Sequence, residues 1–121
     1  MLPDAVTLLE DMRIAAKRIL ELAADRRLDD LEQDWAFRSA IERQFEIIGE
    51  ALGRLAKRDP QTAEELTDYR LIINFRNRLI HAYDDLDLER VWDAAVNVLP
   101  RVRAYLERLL PTEPYDPKKE D

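Results

Sequence analysis

Residues 75–83 read Phe-Arg-Asn-Arg-Leu-Ile-His-Ala-Tyr and hold residue types that phosphate chemistry uses. His81, the only histidine of the chain, follows Arg76 by five positions and precedes Tyr83 by two. Imidazole, with an unperturbed pKa of ~6.5, can both take and give a proton near neutral pH. Arginine presents a planar cationic fork suited to a phosphate and to its more highly charged transition state. Such a pair could cleave RNA without a metal. The histidine would deprotonate the 2′-hydroxyl or protonate the leaving oxygen, and the arginine would stabilise the phosphate. Spacing alone is a weak signal, because a histidine near a helix C-terminus is usually a surface residue that offsets the helix dipole.

No metal or cofactor is expected. The chain has one histidine, no cysteine and no acidic cluster at obvious ligand spacing. Asp84, Asp85 and Asp87 are more simply read as capping and turn residues.

On an ideal helix residues advance by ~100°, which places Arg70, Asn74, Asn77 and His81 on one polar stripe flanked by Arg78. Ile72, Phe75 and Leu79 lie on another side and can face a core. Arg76 and His81, however, are ~140° apart. For both to reach one phosphate, the helix must end or distort near His81, or a second copy must supply part of the site. The spacing therefore favours a symmetric dimer.

The elements that must position these residues are helical. A first helix over about residues 4–24, with Asp4 as its N-cap, carries the stripe Leu8, Met12, Ala15, Ile19 and Leu22. The charge-dense stretch Asp25–Asp34 reads as a connection. A second helix, about Trp35–Lys57, carries Ile41, Phe45, Ile48, Leu52 and Leu55 at the same alternating steps. Asp59-Pro60 opens a short helix to about Leu66, as a cap followed by proline at the first helical position. A third main helix covers Tyr69 to His81 or Tyr83, and a fourth, capped by an aspartate of 84–87, covers Leu88–Leu110. Its stripe is Val91, Ala95, Val98, Val102, Tyr105 and Leu109, with a kink expected where Pro100 crowds the carbonyl of Val96. Trp35 and Trp92 are expected to be core or interface aromatics. Arg101, Arg103 and Arg108 are expected to form a solvated face rather than an RNA track.

Length and composition agree with this. A chain of 121 residues with two glycines and 37% charged residues suits one all-α up-and-down bundle over residues 1–110, followed by a mobile, proline-rich and charged tail at 111–121. The N-terminus has no basic region ahead of a long apolar run, and no stretch approaches the ~20 apolar residues of a membrane span. A cytoplasmic protein is expected. The net charge of −7 argues against non-specific nucleic-acid binding by the whole surface, so any action on RNA must come from a few concentrated arginines.

The stretch Phe75–Tyr83 resembles the signature of HEPN domains, small helical proteins carrying Arg-x4–6-His. Arg76-x4-His81-x-Tyr83 is similar to the form found in the HepT-like branch. Ala40-Ile-Glu-Arg-Gln-Phe-Glu-Ile-Ile-Gly-Glu-Ala51 resembles the second helix of that branch. Asp87-Leu-Glu-Arg-Val-Trp-Asp, followed by Leu99-Pro100, resembles its last helix. The resemblance implies a four- or five-helix HEPN bundle that forms a homodimer, with Arg and His from both chains lining a cleft at the interface. It further implies a toxin of a type VII toxin–antitoxin module, acting as a metal-independent ribonuclease on RNA such as tRNA or mRNA. Its implied partner is an MNT-type minimal nucleotidyltransferase that silences the toxin by transferring AMP from ATP to Tyr83. Carried over by position, Arg76 binds the scissile phosphate and His81 is the acid–base residue. Asn77 and the flanking Arg78 contact phosphate or orient the site. Relatives often carry glycine where this chain has Asn74, a departure that narrows the cleft or adds a hydrogen-bonding group. Two other readings stand beside this one: a non-catalytic subunit that docks a nucleotidyltransferase and presents nucleotide or substrate to it, and a helical scaffold with no use for the motif.

Overall fold

The stripe Ile41, Phe45, Ile48, Leu52 and Leu55 is buried along its whole length, each residue at most 2% exposed. The helix that carries it is the spine of the molecule. A computed structural model describes residues 3–66, 69–81 and 87–110, without the side chains of 71 and 79–81. Tyr83 and the expected tail at 111–121 lie outside the described residues. In chain order the elements are α1 (Pro3–Ala23), α2 (Leu28–Gln33), α3 (Trp35–Arg58), α4 (Pro60–Glu65), α5 (Tyr69–His81), α6 (Leu88–Asp93), a π-helical turn (Ala94–Val98) and α7 (Leu99–Leu109). No strand occurs among the described residues, and none of their helices is long and apolar enough to cross a membrane.

α1 and α3 form the central pair, with α5 packed on the far side of α3 and α7 on the far side of α1. An ion pair joins Arg58, at the end of α3, to Asp4, at the start of α1, so the central helices run antiparallel. Asp4 thus lies in the first turn of α1, which begins at Pro3, and is not its N-cap. Arg13, nearly buried on α1, bonds Glu10 at 2.6 Å and approaches Glu107 of α7 at 3.7 Å. A buried guanidinium needs such partners, and here they bind the outer helix to the central pair.

Three expectations are corrected. The stretch Asp25–Asp34 is not only a connection, because it contains α2. Leu31 of α2 is fully buried, Leu28 packs against the core, and Asp30 Oδ2 accepts the Arg27 N–H at 2.8 Å to start the turn. Asp25, at φ 61°, provides the left-handed residue that turns the chain out of α1, a conformation that aspartate tolerates better than most residues. The fourth long helix is interrupted. Pro100 cannot donate to Val96, and the backbone absorbs this as a π-helical turn over Ala94–Val98. The extra residue in that turn shifts the buried line, so Leu99, Leu106 and Leu110 are buried where Val98, Tyr105 and Leu109 only pack part-covered against the core, while Val102 is buried as expected. Finally, of the two places expected for the tryptophans, core or interface, the core is excluded for Trp35, which is 79% exposed, whereas Trp92 packs against the core.

The capping expectations at Asp59 and at 84–87 hold. Asp59 accepts from Thr62 N–H, with Pro60 in the first helical turn, and Asp87 accepts from the N–H groups of Glu89 and Arg90. Asp34 caps α3 by accepting the Phe37 N–H at 3.1 Å, and Arg26 Nη1 donates to its other oxygen at 3.1 Å. The Phe37 bond, helped by Arg26, holds the Asp34 carboxyl below the usual aspartate range. A group with a lowered folded-state pKa adds stability above its unfolded value, and that stability is lost as pH falls through the folded one. Asp34→Ala therefore lowers the melting temperature at pH 7. Thermal unfolding followed by circular dichroism between pH 7 and pH 2 will show the gap between variant and parent closing in acid.

Candidate functional site

α5 reaches its neighbour through one apolar edge and one arginine. Ile72 is 8% exposed, and Phe75 meets Phe45 of α3 edge to face, with ring centroids 5.0 Å apart and planes at 78°. An aromatic pair of that geometry adds about 1 kcal/mol beyond the area it buries. Asn74, Asn77, Arg78 and Arg70 are exposed along the opposite side, as the polar stripe predicts. Arg70 Nε donates to the Tyr69 hydroxyl at 2.9 Å and so belongs to the start of the helix, away from the motif.

Arg76 belongs to neither side. It is half-buried, and its aliphatic stem lies directly over Gly49 of α3. A methyl group built on Gly49 would fall 2.5 Å from Arg76 Cγ, closer still to its Cβ, and 3.5 Å from its Cδ. The backbones at this crossing are therefore as close as an absent side chain permits. No pattern of periodicity marks Gly49 as a site residue. Its signal is the presence of glycine inside a long helix of otherwise strong helix formers, where it costs about 1 kcal/mol relative to alanine.

This seating decides which face of the guanidinium can work. Arg76 Nε is fully covered and has no hydrogen-bond partner among the described residues. Nη1 donates to Asn77 Oδ1 at 3.1 Å. A phosphate can therefore approach only the Nη end of the fork, which Asn77 steadies. The side-on approach through Nε is closed. The partner is also neutral. Arg26, Arg38, Arg43, Arg54, Arg58 and Arg90 each pair with a carboxylate, which offsets their charge, whereas the amide of Asn77 leaves the charge of Arg76 in place.

The structure does not bring His81 onto the Arg76 face. α5 is helical from Tyr69 to His81, so the two residues sit ~7.5 Å apart along its axis and ~140° apart around it. His81 is the last residue of α5 among the described residues, and its side chain lies outside them. Among the described residues, two surface cavities lie elsewhere. One of about 420 Å³ is bounded by Asp4, Thr7, Arg54 and Arg58, and its two arginines are paired with Glu50 and Asp4. The other, about 380 Å³, is bounded by Leu66, Arg101, Tyr105 and Arg108. There Arg108 lies over the Tyr105 ring and the hydroxyl of Tyr105 donates to Glu65; burial and that carboxylate push the phenol up. Arg101 and Arg108 are exposed and Arg103 half-buried, close to the solvated face expected for them.

A family model described as "Ribonuclease HepT-like" matches residues 12–109, a span that includes α3, α5 and the whole of the Arg76–Tyr83 motif. A "Probable ribonuclease HepT" of Thermococcus cleftensis is 29% identical over 101 residues, covering 84% of this chain and 91% of that one. A protein of Methanocaldococcus jannaschii, provisionally named an RNase, is 26% identical over 107 residues, 88% of each chain. One of Caldanaerobacter subterraneus, named in the same way, is 24% identical over 95 residues, 78% of this chain and 84% of its own. No solved structure matches.

The Phe45–Phe75 contact fixes how α5 lies on α3, and its loss has a measurable cost. Phe75→Leu is expected to destabilise the fold by about 1–2 kcal/mol in urea unfolding, through the lost ring pair and imperfect refilling of the space. Asn77→Ala, at an exposed position, is expected to stay within about 0.5 kcal/mol of the parent.

Proposed function

The chain belongs to the HepT-like ribonuclease family, and from that premise we propose that it is the toxin of a toxin–antitoxin module, a metal-independent endoribonuclease working at a homodimer cleft. The observation that carries this reading is the Arg76–Asn77 unit, a half-buried guanidinium held by a neutral amide with its Nη end open, inside a motif that the family model spans. A two-fold axis beside α5 would let the histidine of one copy work on a phosphate held by the arginine of the other, which answers the ~140° between them on one helix.

In this mechanism Arg76 binds the scissile phosphate end-on and takes up the charge that grows on its oxygens in the transition state. His81 moves the protons. The 2′-hydroxyl loses its proton and its oxygen attacks phosphorus. The P–O5′ bond breaks, and the leaving oxygen gains a proton. The products are a 2′,3′-cyclic phosphate and a 5′-hydroxyl, with no water or metal consumed. Asn77 keeps the guanidinium in place, and Arg78, exposed one position on, adds positive charge for the flanking RNA.

The proposed partner is an MNT-type nucleotidyltransferase antitoxin that transfers AMP from ATP to Tyr83, with pyrophosphate leaving. An anionic nucleotide two residues from His81 would occupy the space and the charge that an RNA phosphate needs.

The test is cleavage of a mixed mRNA and tRNA pool in EDTA by unmodified protein made without any nucleotidyltransferase. The parent should cut and leave cyclic phosphate ends, while His81→Ala and Arg76→Ala should lose about 10²–10⁴-fold in kcat/KM. Equal cutting by the parent and His81→Ala would reject the assigned site. Failure of folded, unmodified dimers to cut would favour the non-catalytic docking subunit. Incubation with ATP and the partner should add one AMP, found by mass spectrometry on the peptide holding Tyr83, and abolish cutting; a Tyr83→Phe protein should keep cutting and stay unmodified.

A further inference from the structure

We propose that Gly49 is the positioning residue for Arg76: its missing side chain forms the seat that fixes where the guanidinium leaves the α3–α5 crossing. The proposal rests on the reading of Arg76 as the phosphate-binding group, and it assigns a role in that chemistry to a residue on a different helix.

The contacts at Gly49 are with the stem of Arg76, not with its tip. A far end can swing aside when a neighbour grows, but Cβ is fixed by the backbone of α5 and Cγ has only staggered positions open to it. Carbon atoms rest about 3.5–4.0 Å apart, whereas a methyl at position 49 would stand 2.5 Å from Cγ and nearer to Cβ. The helices would have to part by about 1 Å or more to restore ordinary contact. Such a shift carries Arg76 bodily, uncovers its Nε and moves the Nη end that Asn77 steadies. A misplacement of about 1 Å in a positioned catalytic group can cost about 100-fold in rate.

The same helix supplies a matched control. Gly53, one turn further on, has nothing within 4 Å of the position its Cβ would take. Both glycines lie inside α3, so Gly49→Ala and Gly53→Ala make the same chemical change and gain the same helix propensity. They differ in what the new methyl meets.

The experiment compares the full-length parent, Gly49→Ala, Gly53→Ala, Arg76→Ala, Arg76→Gly and the double variant Gly49→Ala/Arg76→Gly for cleavage of a defined RNA in EDTA. Gly53→Ala should cut within about 2-fold of the parent. Gly49→Ala should lose about 100-fold in kcat/KM. Adding Gly49→Ala to Arg76→Gly, which lacks the Cβ and Cγ that the methyl would meet, should cost nothing more, since its effect passes through the arginine. A Gly49→Ala protein that cuts like the parent while Arg76→Ala is inactive would overturn the seat. If Arg76→Ala cuts like the parent, the phosphate-binding reading itself fails. Thermal unfolding decides the matter even where Gly49→Ala does not fold. Gly49→Ala should lower the melting temperature sharply in the Arg76 parent and leave it unchanged or raised in an Arg76→Gly background. An equal loss in both backgrounds would show that the methyl meets something other than Arg76, and would also overturn the proposal.

Discussion

The distance between α3 and α5 is the constraint on which the candidate site depends. A helix that carries a long arginine toward a neighbour ordinarily holds that neighbour away, because the stem needs room. Here the room comes from a backbone with no side chain at Gly49, and the Phe45–Phe75 ring contact fixes the approach one position along α5. With both in place, the methylenes of Arg76 are packed as part of the interface and only the end of the guanidinium remains for chemistry. The cost is a covered Nε with no hydrogen-bond partner among the described residues, an expense of about 1–3 kcal/mol. Unsatisfied groups of this kind concentrate where position matters more than stability.

Electrostatics bears on the same residue. The chain carries a net charge of −7 and acts, on the proposed reading, upon a polyanion. A broad cationic surface would bind RNA without discrimination, since counterion release rewards each phosphate contact alike. Much of this surface is offset instead: Arg13, Arg26, Arg38, Arg43, Arg54, Arg58 and Arg90 are each matched with a carboxylate. Such pairs add little stability, but they leave little net field around the cations they contain. Arg76 bonds a neutral amide, so its charge is felt by whatever approaches the α3–α5 crossing.

Much of this organisation was legible in the amino-acid pattern, and the failures have physical causes. The α3 stripe reads correctly from Ile41 to Leu55 because a regular helix preserves its phase over the whole length. In the last helix Val91, Ala95 and Val102 read correctly, but Val98, Tyr105 and Leu109 give way to their neighbours Leu99, Leu106 and Leu110. Pro100 announces a kink, but periodicity cannot tell a bend from a π-helical turn, whose extra residue shifts which side chains are most deeply buried. α2 escapes because a six-residue helix with two core leucines offers too short a pattern inside an acidic run. Gly49 escapes for a different reason. Periodicity reports which residues have side chains facing a core, and it is silent about a residue whose contribution is to have none.

The separation of Arg76 from His81 has a consequence for how activity and folding are linked. Within one chain, α5 is a regular helix to its last residue, so nothing in its backbone turns the histidine toward the arginine. If a second copy completes the site, as proposed, then the seat at Gly49 acts in both protomers at once. It would set the spacing between two arginines across the axis as well as the pose of each. A displacement of α5 would then enter twice, once through the phosphate-holding group and once through the helix that carries the proton-transfer residue to the other copy. Rate would fall more steeply than stability as the crossing loosens. The bundle would thus stay folded when chemistry is lost, which is the property a switch needs if a modification at Tyr83 is to silence the protein without unfolding it.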